Sequence, residues 1–224
     1  MVKYLFLFDI DGTLLISGGA GKSAIKKAIT EVFSIPKPDV TVDFGGRTDL
    51  SLAREIFSLN NIPFKKDELN CYFKRYLHHL QNILPKTDGR VLPGVVPLLD
   101  ELSNRHDVAI GLLTGNIEVG AKAKLNHFRL GHYFSFGGFG DTCEQRNDIA
   151  KKAIEAFLSS QLSQQQVKTY VIGDTPHDIT CARSINAKAI AVETGFAPPE
   201  KLKIHHPDFQ LQTLETCLKA INFY

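Results

Sequence analysis

Five short apolar runs, Tyr4 to Phe8, Val108 to Leu113, Tyr133 to Phe136, Thr169 to Ile172 and Ala189 to Val192, recur along the chain with amphipathic stretches between them. Each run is apolar nearly throughout, as a strand covered on both faces must be. The alternation therefore predicts an α/β fold built on a mostly parallel sheet. With 224 residues, 43% of them hydrophobic, the chain can bury such a core without disulfide or metal staples.

Far more chain separates the first two runs than one crossover helix requires, so the spacing predicts an insertion. Three helical patterns fill it. Gly21 to Phe33 places Ile25, Ala28, Ile29, Val32 and Phe33 on one face, and Asp49 to Leu59 does the same with Leu52, Ala53, Ile56 and Phe57. Lys66 to Leu84 carries Leu69, Tyr72, Phe73, Tyr76, Leu77, Leu80, Ile83 and Leu84, an aromatic-rich stripe read as core. The expected division is a core of residues 1–15 and 86–224 with a helical domain at 16–85. Its joints are the glycine cluster Gly18, Gly19, Gly21 and the turn-rich Pro85 to Gly94.

Lys plus Arg number 26 against 24 Asp plus Glu, a formal charge of +2 that gives no support to nucleic-acid binding. The cysteines Cys71, Cys143, Cys181 and Cys217 form no C-x-x-C pair, which argues against a disulfide framework or a zinc site and for a reducing cytoplasm. The apolar run Val2 to Phe8 meets Asp9 and Asp11 far short of a membrane span or signal sequence. No membrane association and no protein partner is implied.

The first run passes directly into Asp9-Ile10-Asp11-Gly12-Thr13. Carboxylates at i and i+2 leave an extended chain on the same side and repel, unless a cation neutralises them or one keeps its proton. An ionised Asp is then a nucleophile and a protonated neighbour an acid; alone, the motif is equally a solvated Asx-turn. Two other runs end in matching chemistry: Thr114-Gly115-Asn116 offers a hydroxyl and backbone N–H groups, and Gly173-Asp174-Thr175-Pro176-His177-Asp178 adds two carboxylates. In an open parallel sheet these strand ends face one crevice. Asp9, Asp11 and Asp174 there make an all-oxygen site suited to Mg²⁺.

These motifs, D-I-D-G-T-L-L, L-L-T-G-N and V-I-G-D-T-P-H-D-I in this order, resemble those of the haloacid dehalogenase superfamily. V-L-P-G-V and G-G-R-T-D make the chain similar to its phosphoglycolate phosphatase-like members. The resemblance implies a Rossmann-like parallel sheet with an inserted helical cap, and a Mg²⁺-dependent hydrolase of small phosphomonoesters. It implies that Asp9 is the nucleophile and forms an aspartyl-phosphate, while Asp11 protonates the leaving group and then activates water. Metal ligands would be Asp9, Asp11 through its backbone carbonyl, and Asp174, with Asp178 orienting a water on the ion or a basic side chain. Thr114, with N–H groups of Ile10, Asp11, Gly115 and Asn116, would receive phosphoryl oxygens. The basic residue of the third motif departs from the common K-P-x-P form; Arg146 is preferred and Lys151 held in reserve. Arg47 is expected either to clamp an anionic group of the substrate or to sit in solvent beside a helix cap at Thr48 or Asp49.

Two other enzymes compete with this reading. A P-loop protein is suggested by Gly21-Lys22-Ser23, but its frame needs glycine where Ile16 stands. A metal-independent carbon–halogen hydrolase of the same superfamily would lack Asp11. His177, His78-His79 and His205-His206 are read as loop or surface side chains, and Cys143 and Cys181 as buried filler.

Overall fold

The computed structural model describes residues 2–141, 143–159 and 167–223. Strand β1 (Tyr4–Phe8) is followed by the two-residue β2 (Leu15–Ile16) and by helices α1 (Ala20–Phe33), α2 (Asp49–Leu59) and α3 (Lys66–Ile83). Then come β3 (Arg90–Val91), α4 (Val95–Ser103), β4 (Val108–Leu113), α5 (Glu118–His127), β5 (Gly137–Gly138) and α6 (Arg146–Ser159). The chain continues through β6 (Lys168–Gly173), α7 (Pro176–Ser184), β7 (Lys188–Val192), α8 (Pro199–Lys203), β8 (Phe209–Leu211) and α9 (Cys217–Ala220).

Six of these strands form one parallel sheet in the order β5-β4-β1-β6-β7-β8. The order runs outward from β1 in both directions, which opens a crevice at the carboxyl ends of the central strands. Alternate residues of β1 serve two cores. Leu5 and Leu7 pack with Ile149, Ala153 and Phe157 of α6 and Ala182 of α7. Phe6 and Phe8 pack with Leu98, Leu99 and Leu102 of α4 and Leu125 of α5. Burial of β1 on both faces is why its sequence is uniformly apolar.

Helices α1 to α3 bury their faces mainly on one another. Ala24, Ile25, Ala28 and Ile29 meet Ala53, Ile56 and Phe57, and Tyr72, Tyr76 and Leu80 complete the cluster. The rings of Phe33 and Tyr72 lie 5.1 and 5.3 Å from that of Phe57, so the aromatic stripe is packing. The chain enters and leaves this region through β2 and β3, which pair antiparallel. Left-handed glycines at Gly18 (φ 59°) and Gly19 (φ 79°) turn it into α1.

The strand expected at Tyr133 to Phe136 is displaced. Tyr133 closes a 3₁₀ turn over Gly131–Tyr133, and its hydroxyl donates to Asp100 at 2.5 Å. Ladder pairing begins at the Phe136 carbonyl, which accepts from Leu112, and the strand itself is Gly137–Gly138. A Cβ on Gly138 would lie 2.3 Å from the Ile149 carbonyl of α6, so close helix approach demands a strand without side chains. Strand β8 was also unforeseen; its run is three residues, Phe209–Leu211. Helix α2 has the expected bounds, α1 begins one residue earlier, and α3 ends at Ile83 before a 3₁₀ turn over Leu84–Lys86. No helix of the described residues is long and apolar enough to cross a membrane.

Asp208 ties α7 and β7 to the segment leading into β8. It accepts from Arg183 at 2.6 Å, Lys188 at 2.8 Å and the Ala189 N–H at 2.9 Å. Burial alone would raise its pKa, but these donors outweigh it and hold the carboxyl at about 2. Because the folded value lies below the unfolded one, the contribution is complete above about pH 4 and is lost as pH falls through about 2. Asp208→Ala is expected to cost about 1–2 kcal/mol at pH 7. Denaturant melts of both chains should show that gap closing between pH 4 and 2.

Candidate active site

The carboxyl ends of β1, β4 and β6 deliver Asp9, Thr114 and Asp174 to one crevice. Asp9, Asp174 and Thr114 are all buried, at 5%, 0% and 0% exposure. Carboxylate oxygens of Asp9, Asp174 and Asp178 lie within 4.8 Å of one another. The Asp11 carboxylate is not part of this cluster: its Oδ2 accepts from Lys124 at 2.6 Å and from the Asn116 amide at 2.8 Å.

Three buried carboxylates so close oppose one another's ionisation. Burial raises the Asp9 pKa; Arg146 opposes this, Asp178 and Asp11 add to it, and the Ile10 N–H donates to the carboxylate and lowers it. Burial also raises Asp174, and the charges of Asp9 and Asp178 push it further up. The Phe196 N–H donates to Asp174 Oδ2 at 2.8 Å, whereas the buried Oδ1 has no hydrogen-bond partner among the described residues. Added Cβ atoms on Gly12 and Gly195 would lie 2.5 and 1.9 Å from Asp174 Oδ2, so glycines are required for this carboxyl to sit where it does. An orphaned oxygen in an all-carboxylate cluster fits a hard divalent cation such as Mg²⁺, and the set lacks the Cys or His ligands that favour zinc.

Arg146, the first residue of α6, reaches the cluster. It lies 3.0 Å from Asp9 Oδ1 and 2.5 Å from Asp178 Oδ1, with 7% of its side chain exposed. Burial disfavours its charge, but Asp178 and Asp9 outweigh this and keep it protonated. Lys151, the reserve choice, pairs with Asp148 at 3.1 Å on an exposed face. Asp178 is doubly committed. Its Oδ2 accepts from the N–H and hydroxyl of Thr175 at 3.0 and 2.7 Å, forming the capping box of α7, while Oδ1 holds Arg146.

The Thr114 hydroxyl accepts from the Asn116 amide at 2.9 Å, and the Gly115 backbone meets the helical insertion. The Gly115 carbonyl accepts from the Asp49 N–H at 2.7 Å, and Asp49 Oδ2 accepts from the Ile117 N–H at 2.8 Å. Desolvation raises Asp49 to about 6, against the pull of Lys124 and the Ile117 N–H. A cavity of about 290 Å³ lies between the two regions, walled by Asp9, Asp11, Asp49, Tyr76, Thr114 and Lys124 among others.

Arg47 borders this cavity, but its guanidinium pairs with Glu55 and donates to the Ser51 carbonyl at 3.2 Å. Thr48 is the helix cap, accepting from the Ser51 N–H at 3.0 Å. Gly21-Lys22-Ser23 lies inside α1, and the Lys22 ammonium sits 5.6 Å from the Phe44 ring centroid, an arrangement unlike a phosphate loop. His177 is exposed, and burial pushes the Cys181 thiol up to about 12, so it is no ready nucleophile.

Sequence reasoning missed Lys124 and gave Asp49 only a capping role. Lys124 shares the inward face of α5 with Ile117, Ala121 and Leu125, and that spacing was the available signal. Lysine on such a face normally snorkels to water; here it is 4% exposed.

A six-stranded parallel sheet flanked by helices, with aspartates at the ends of β1 and β6, defines a Rossmann-like α/β core with an acidic site at its carboxyl edge. The family model for haloacid dehalogenase-like hydrolases matches residues 6–192, and the chain belongs to that family. Its relatives include a protein of Dickeya dadantii described as probable phosphatase IndB, 26% identical over 98% of this chain and 94% of the relative. A phosphoglycolate phosphatase of Synechococcus elongatus is 25% identical over 96% and 95%. Among solved structures, CbbY from Rhodobacter sphaeroides in complex with phosphate superposes with a TM-score of 0.72 at 14% identity, covering 96% of each chain. A Clostridium acetobutylicum protein described as a predicted phosphatase superposes at 0.72 with 21% identity over the whole of both chains.

Gly115 tests the contact across the cavity. A Cβ there would lie 1.9 Å from the Arg47 carbonyl, whereas one on Gly45 meets only Asp43 at 3.4 Å. Gly115→Ala is expected to lower stability by about 1–3 kcal/mol, and Gly45→Ala to stay within about 0.5 kcal/mol of the parent in denaturant melts.

Proposed function

We propose that the chain is a Mg²⁺-dependent phosphoric monoester hydrolase acting on small phosphorylated metabolites through an aspartyl-phosphate on Asp9. The observation that carries this reading is the buried carboxylate cluster of Asp9, Asp174 and Asp178, with one Asp174 oxygen left without a hydrogen-bond partner among the described residues. The phosphatases among its relatives support it.

Asp9, Asp174 and the Asp11 backbone carbonyl would hold Mg²⁺, which supplies neutralisation of phosphoryl charge and of carboxylate repulsion when bound. The Asp9 carboxylate attacks phosphorus in line as the bond to the leaving oxygen breaks. Arg146 orients Asp9 through its 3.0 Å contact and is itself fixed by Asp178. Asp11 gives a proton to the departing oxygen and then takes one from the water that hydrolyses the acyl phosphate. Thr114 and the N–H groups of Ile10, Gly115 and Asn116 receive phosphoryl oxygens. The helical insertion, at residues 16–85, serves as a cap that excludes water and selects the leaving group, and Arg47 would contact substrate only after releasing Glu55. The wide spacing of the four cysteines along the chain suits a reducing cytoplasm. No nucleic acid, membrane or protein partner enters this reading.

The metal-independent carbon–halogen alternative has no use for three clustered carboxylates or for the Asp11 carboxylate beside the crevice. Phosphate release from an aryl phosphate decides the matter. The parent chain should turn over with Mg²⁺ and stop in excess chelator, and Asp9→Asn should lose at least about 10³-fold in kcat. Turnover that survives both changes, or halide release from a haloacid without metal, refutes the proposal.

A further inference from the structure

Lys124 is a buried cation that no step above uses. Its side chain is 5% exposed, and its Nζ lies 2.6 Å from Asp11 Oδ2 and 2.6 Å from Asn116 Oδ1. The Asn116 amide in turn donates to the same Asp11 oxygen at 2.8 Å and to the Thr114 hydroxyl at 2.9 Å. Two donors thus converge on one oxygen of a carboxyl that borders the cavity.

We infer that Lys124 is a positioning residue acting through Asp11, and that it governs how readily the enzyme expels poor leaving groups; this rests on the phosphatase reading above. A carboxyl whose Oδ2 is pinned by a lysine and an amide cannot spin about its bond to the chain, so Oδ1 is the oxygen presented to substrate. In the first displacement, the Asp9 oxygen bonds to phosphorus and the phosphorus to leaving-oxygen bond breaks. The proton on Asp11 Oδ1 passes to that departing oxygen. Lys124 stays paired with the carboxylate left behind, as Asn116 does by hydrogen bond. Lys124 hydrogen-bonds to Asp11 and Asn116 and to neither Asp9 nor the carboxylate cluster, so the step expected to suffer from its loss is protonation of the leaving group. An aryl leaving group such as 4-nitrophenolate departs without that proton; an alkoxide does not.

The test is single-turnover release of the leaving group from 4-nitrophenyl phosphate and from glycerol phosphate, with Mg²⁺ present, for folded chains checked by thermal melting. Lys124→Met should slow glycerol release at least about tenfold more than nitrophenolate release. Asp11→Asn should show the same selectivity, and adding Lys124→Met to it should cost less than threefold more. Equal losses on both substrates, a loss confined to KM, or full multiplication of the two effects in the double variant overturns the inference while leaving the phosphatase reading intact. A parent chain that releases phosphate from neither substrate overturns that reading and the inference with it.

Discussion

Repulsion among carboxylates at the end of a parallel sheet is the constraint around which the rest of this molecule is arranged. Asp9 ends β1 and Asp174 ends β6, neighbouring strands at the centre of the sheet, and Asp178 returns to the same place from the first turn of α7. Buried like charges at such range are unstable without an opposite charge. Arg146 supplies one, bridging Asp9 and Asp178. It leaves Asp174 unmatched, with an oxygen that no described group satisfies. The strain is tolerated because the surroundings fix it: glycines at 12 and 195 make room for Asp174, and the Phe196 N–H holds its other oxygen.

Among the described residues, two buried cations flank the site. Arg146 pairs with Asp9 and Asp178, and Lys124 with Asp11, joined through Asn116 to Thr114. The loop that carries Thr114, Gly115 and Asn116 also receives the helical insertion, through the two hydrogen bonds of Asp49. One short segment therefore touches the Thr114 hydroxyl, the Asp11 carboxyl and the first turn of α2. Just before α2, the Gly115 and Arg47 backbones meet with no room for a side chain between them.

Much of this was legible in the sequence for physical reasons. Strands buried on both faces must be apolar throughout, so β1, β4, β6 and β7 announced themselves, and the helical faces of α1 to α3 followed from their periodicity. The i, i+2 aspartates and the strand-terminal Thr114 and Asp174 pointed to one crevice once the sheet was parallel, and Arg146 was distinguished by its place at the start of an apolar helical face. What escaped notice depends on tertiary distance. Strand β5 is two glycines, silent in any hydrophobic pattern because α6 packs too closely for a side chain. The periodicity of α5 puts Lys124 on an inward face, but nothing local says that Asp11, 113 residues earlier, is the partner that receives it. Arg47 carried a strong local motif but is occupied by Glu55, a partner eight residues on that helix geometry supplies.

The most direct measurement is thermal unfolding of the parent chain and of Asp174→Asn, with chelator and across a Mg²⁺ titration. Mg²⁺ at 100 times its dissociation constant should stabilise the parent by about 2.7 kcal/mol. The variant should lose that response and, in chelator, melt higher than the parent because a repelled carboxylate has been neutralised. A parent indifferent to Mg²⁺, together with a variant that melts lower in chelator, would contradict the account.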